Sequence, residues 1–95
     1  MNIPVPFYSE DNFAKIKALL PNEGWPRFYE DWLEETERRE RAVIGVGNVP
    51  VRIDIEPDSF ETWCKTRSLR LTRPSILSYC MFVLAAAKTG QTADK

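Results

Sequence analysis

Apolar residues recur along the chain at helical spacing in four stretches and at strand spacing in one. In the first stretch Ser9 is followed by Glu10 and Asp11, then by Phe13, Ile16 and Leu20 on one face. A serine N-cap with acids in the first turn suits the positive end of a helix dipole, so a helix is predicted over 10–20. Pro21 ends it, because the residue before a proline avoids the helical region. After the turn "PNEG", Pro26 opens a second predicted helix over 27–45. Phe28 or Tyr29, Trp32, Leu33 and Thr36 form its inner face. On its outer face Glu34, Glu35 and Glu37 each precede an arginine (Arg38, Arg39, Arg41) by four residues, the better orientation for a helix ion pair, and the pattern reads as a solvated face.

Val49, Val51, Ile53 and Ile55 alternate with Pro50, Arg52 and Asp54, which predicts a short strand over 49–55. Two readings fit what comes before it. In one, Gly47-Asn48 is a hairpin turn and strand 41–46 pairs with 49–54, setting Val46 against Val49 and Ile44 against Val51. In the other, the charged helix continues to residue 45 and Gly47 is its left-handed C-terminal cap. The strand then has no local partner, and its backbone groups must be satisfied elsewhere.

Pro57, Asp58 and Glu61 mark the start of a third helix, predicted over 58–68, either with Asp58 and Glu61 as a capping box or with Pro57 and Asp58 as its first residues. Phe60, Trp63, Cys64 and Arg67 share one face. A fourth, predicted over 74–88, is apolar nearly all round, as expected of a helix at the centre of a fold or covered by another chain. Gly90 is read as its stop. The chain is thus expected to be one domain over 1–95, of α+β class and mostly helical, with an extended N-terminal arm over 1–8, where Pro4 and Pro6 stand, and a flexible tail over 90–95.

The segments "LPNEGWPRFYEDWLEETE" and "VRIDIEPDSFETWCKTRSL" together resemble a family of small, uncharacterised bacterial proteins. The resemblance rests on Pro26, Tyr29, Trp32, Leu33, Gly47, the strand Val51 to Ile55, Pro57, Asp58, Phe60, Trp63 and Cys64. That family has no assigned activity, so the resemblance implies shape without chemistry. In it the glycine matched by Gly47 ends a long helix, which favours the long-helix reading. The strand's cheapest partner is then the same strand of a second copy, paired antiparallel across a twofold axis. Val51, Ile53 and Ile55, with Leu77 and Met81 of the last helix, are the candidate interface residues.

Ninety-five residues with 43% hydrophobic content suit one small globular core. The net charge of −1 gives no overall attraction to nucleic acid or to an anionic membrane. The longest apolar run, "YCMFVLAAA", is far too short to span a bilayer. The start "MNIPVPFYSE" lacks the features of a secretory signal, and with two cysteines the expected location is the cytoplasm. There is no histidine, which removes the common nucleophile–base triads and the usual zinc sets; neither a cofactor nor a catalytic residue is expected. Cys64 is the one candidate reactive thiol, set against a core reading, since it shares a face with Phe60 and Trp63, and against a disulfide with Cys80. Arg67, Arg70 and Arg73 lie in a basic run that could contact an anion, although no aromatics interleave with it as a nucleic-acid surface would require. The leading expectation is a non-catalytic homodimeric scaffold or protein-binding module. A thiol-dependent protein using Cys64, and a binder of nucleic acid or an acidic partner through 65–73, are the alternatives.

Overall fold

A computed structural model describes residues 1–93, with side chains through residue 87. The element order is β1 (Asn2–Phe7), α1 (Glu10–Leu19), α2 (Tyr29–Gly45), β2 (Val49–Asp54), α3 (Pro57–Thr66) and α4 (Arg73–Ala93). Among the described residues this is an α+β fold, mostly helical, with four helices and one two-stranded sheet.

The N-terminal arm is the partner that β2 lacked. β1 and β2 pair in parallel, from Asn2 opposite Val49 to Phe7 opposite Asp54. The strand's backbone is therefore met within its own chain and does not require a second copy. Hairpin 41–46/49–54 does not form, because α2 runs through to Gly45.

Two prolines in β1 are compatible with the ladder because of parity. In a parallel pair, alternate residues point both backbone groups toward the partner. The Val49 N–H donates to the Met1 carbonyl and the Ile55 N–H to the Phe7 carbonyl, each at 2.9 Å. Odd-numbered residues of both strands therefore face each other. Pro4, Pro6 and Pro50 face outward, where a missing N–H costs the ladder nothing and blunts both sheet edges against further strands.

Gly47 closes α2 as a left-handed cap, at φ +86°. Its N–H donates to the Ile44 carbonyl (2.9 Å), and that of Asn48 to the Val43 carbonyl (3.1 Å), the paired bonds of a Schellman motif. α3 ends the same way without a glycine. Ser68 takes φ +55°, the Ser68 N–H donates to the Lys65 carbonyl and the Leu69 N–H to the Cys64 carbonyl. A left-handed serine costs roughly 1 kcal/mol.

Three boundary details depart from expectation. α2 begins at Tyr29 rather than 27, with Phe28 as an N-cap that makes no side-chain bond. At α3 the second of the two readings of its start holds, without an Asp58–Glu61 capping box, and the helix ends at Thr66 rather than 68. Pro57 is the first residue of α3, and Glu61 pairs instead with Lys65 at 3.6 Å. Gly90 does not stop α4, which continues to Ala93; of the tail expected to be flexible, residues 94–95 lie outside the described residues.

Two aromatic clusters hold the elements together. Phe7 and Tyr8 from the end of β1, Phe13 from α1, Trp25, and Tyr29 and Trp32 from α2 form one. The Trp25 indole N–H donates to the Leu20 carbonyl and the Tyr29 hydroxyl to the Tyr8 carbonyl, both at 2.8 Å, which settles the polar ends of the cluster. Phe60, Trp63, Tyr79 and Phe82 form the second, between α3 and α4. α2 meets the sheet face bearing Phe7 and Arg52. There the Arg52 guanidinium donates two bonds to Glu40, at 2.8 and 2.9 Å, and lies 4.3 Å from the Phe7 ring centroid. The bond from Arg52 holds the Glu40 carboxyl below the usual glutamate range.

The register predicts opposite outcomes at neighbouring positions. Pro4→Ala restores an outward N–H and should change unfolding free energy by no more than about 1 kcal/mol. Val5→Pro removes a ladder donor and should cost about 1–3 kcal/mol for the orphaned carbonyl alone. Urea denaturation measures both, and equal effects would contradict the register.

Candidate functional site

The outer edge of β1 is the floor of a groove. α2 forms one wall with Trp32, Arg39 and Val43, and the start of α4 forms the other with Arg73, Pro74, Ile76 and Leu77. Ile3, Pro4, Val5 and Pro6 line the floor, with Tyr8 at its end, and the cavity measures about 520 Å³. The lining is apolar apart from Tyr8 and two arginines, and it contains no acid.

Each polar group is brought there by a specific local cause. Residues 32, 36, 39 and 43 follow one another at helical spacing, so Arg39 stands on the stripe that also carries the buried Trp32 and Thr36. The expected Glu35–Arg39 and Glu37–Arg41 pairs are not formed; of that ladder only Glu34–Arg38 is made, at 3.3 Å between highly exposed side chains. Arg73 begins α4. Its backbone N–H donates to Glu23 Oε1 at 2.7 Å, and its guanidinium lies 4.5 Å from the Trp25 ring centroid, leaving the edge of the fork unpaired with any acid among the described residues. Tyr8 is 2% exposed, and its hydroxyl bonds to no protein group among the described residues. Burial raises its pKa well above the usual phenol range, with Arg73 and Arg39 pulling back only in part. It therefore stays a neutral hydroxyl that can donate.

The expected site residues are dispersed. Ile53 and Ile55 are buried in the protomer's own core at 7% and 0% exposure, so they have no surface to offer a partner, and Val51 is half-buried against that core. Leu77 and Met81 are exposed. Of the basic run, Arg73 belongs to the groove, whereas the Arg67 guanidinium sits 4.7 Å from the centroids of both Trp63 and Phe82 in a shallower depression around α3. Arg70 is exposed and lines neither. The three do not form one anion-binding surface.

Cys64 is fully buried in the core with Phe60, and burial raises its thiol pKa. Cys80 is buried too and pushed up to about 12. Both are free thiols. A nucleophilic cysteine needs access and a lowered pKa, and Cys64 has neither. Among the described residues no three His, Cys, Asp or Glu side chains could together hold a metal ion, and no helix is long and apolar enough to cross a membrane.

Comparison of the chain with protein-family models, with curated proteins and with solved structures returns no match. The reading of the groove therefore rests on its own geometry. Tyr8 and Arg39 were missed from sequence, the first because it follows a proline arm and the second because an acid stands four residues before it. The signal for Arg39 was present in the 32, 36, 39, 43 stripe.

The buried thiols give a direct check. In native protein at pH 8 neither Cys64 nor Cys80 should react with an aromatic disulfide reagent within the time that denatured protein takes to react at both. Rapid native reaction at Cys64 would restore it as a nucleophile.

Proposed function

We propose that this protein is a non-catalytic binding module and that the groove between β1, α2 and α4 is its site. The observation that carries this reading is the apolar cavity of about 520 Å³ with two arginines and no acid in its lining. Small-molecule sites typically fall between about 300 and 1,000 Å³, mostly apolar with a few placed polar groups. The lining offers no nucleophile and no general base, so the chemistry it supports is holding rather than turnover. The unpaired cysteines support a cytoplasmic location, where thiols stay reduced.

Titration with 8-anilinonaphthalene-1-sulfonate, an anionic amphipathic dye, tests the site. One saturable class of binding is expected. Leu77→Asp places an acid in the wall at a half-exposed position and should weaken binding at least about tenfold, as expected when a like charge meets the anion, with the melting temperature little changed. Non-saturating binding, or binding indifferent to Leu77→Asp, would count against the groove.

A second reading is self-association, favoured by Leu77 and Met81, one turn apart on α4 and 51% and 64% exposed. A second copy covering them would give a mass near twice 11.0 kDa by light scattering, lowered by Met81→Lys. A mass of 11.0 kDa at every concentration would end this reading.

A further inference from the structure

We propose that the groove takes an unbranched monocarboxylate, its carboxylate held by Arg39, Arg73 and the Tyr8 hydroxyl and its hydrocarbon tail lying along Pro4, Val43 and Leu77. This rests on the reading of the groove as a binding site and specifies what fills it.

Charge selects the headgroup. Two guanidiniums line the cavity without an acid among the lining residues. The acid bonded at the start of α4, Glu23, is engaged by the Arg73 backbone N–H. Guanidinium forks match the planar geometry of a carboxylate, and such charge-assisted bonds are stronger than neutral ones. Tyr8 adds a third donor from a side chain 2% exposed. Its ring is fixed by Phe13, Trp25 and Trp32, so the hydroxyl is held in place before any ligand arrives, which lowers the ordering cost of binding. An arginine fork also matches a phosphate; the carboxylate is preferred because the rest of the lining is apolar and a phosphate's further charged oxygens would face it unpaired.

The floor excludes the obvious competitor. A peptide adding as a strand to β1 would need backbone donors on its outer edge. Pro4 and Pro6 occupy the outward positions and have none. The remaining walls, Trp32, Val43, Pro74, Ile76 and Leu77, are apolar, which fits a chain without polar groups along its length.

Calorimetric titration of the full chain, with each probe below its micelle concentration, compares dodecanoate, 1-dodecanol and dodecyl phosphate. Dodecanoate should bind at least about tenfold tighter than dodecanol, the discrimination expected of charge-assisted bonds. In Arg39→Ala/Arg73→Ala that preference should vanish while dodecanol binding persists. Tyr8→Phe keeps the packed ring and should weaken dodecanoate several-fold with dodecanol unchanged. Equal binding of dodecanoate and dodecanol, a preference that survives the double substitution, or dodecyl phosphate binding as tightly as dodecanoate would each overturn the carboxylate assignment while leaving the groove as a binding site. Failure of dodecanoate, dodecanol and the anionic dye alike would overturn both.

Discussion

Two strands running in the same direction cannot be joined by a turn, so the chain must leave the sheet and cross back over it. Here the crossing is α1 and α2, and both exist in their places because β1 must meet β2 in register. A two-stranded sheet has little stability in water by itself. Helices on its faces supply the rest. α2 covers the Phe7 and Arg52 side, while Ile53 and Ile55 join Ile76 of α4 and Phe60 of α3 in the core. The aromatic cluster at the end of β1 locks the crossing, since Tyr8 contacts residues of α1, α2 and the loop between them. Removing β1 would thus take away the ladder, one side of the cluster and the floor of the groove together.

The same parity that preserves the ladder shapes the surface. With odd residues spent on pairing, the outward positions of β1 are Asn2, Pro4 and Pro6, and those of β2 include Pro50. A sheet edge is ordinarily a hazard because it invites another chain. Proline removes the donors and leaves only outward carbonyls between its rings, which cannot complete the ladder of a further strand. α2 and α4 rise on either side of that edge on β1, and the result is a cavity rather than a docking strand. A feature needed for folding thereby becomes the floor of the proposed site.

Much of the architecture was readable in advance. The four helices and the β2 segment follow from local rules, because caps, prolines and periodicity act over a few residues; those rules left Gly47 open between a helix cap and a hairpin turn. The burial of Cys64 also followed from its face. The identity of the strand's partner did not. Proline counts against a strand until its parity relative to a partner is known, and that partner lies more than forty residues away. Ile53 and Ile55 were offered to an interface for the same reason: a strand with no local partner was expected to pair with a second copy, whereas both residues lie in the core with Phe60 and Ile76. Arg39 was assigned to a solvated ladder because the helix-pair rule weighs only its own helix.

Magnitudes show why Arg39 can leave that ladder. An exposed pair at i,i+4 is worth about 0.3–0.5 kcal/mol, and Glu35 offers Arg39 no more than this. A hydrogen bond to a charged group is worth about 1.5–3 kcal/mol. The groove side of α2 has low-dielectric neighbours in Trp32 and Val43, which strengthen any electrostatic contact made there. The proposed anion would therefore outcompete Glu35 for the same guanidinium. Arg39 is exposed although it lines the cavity, as a long cationic side chain can be when its stem is apolar and its head charged. The charge ladder of α2 and the groove then draw on one residue, and the stronger contact decides where it points.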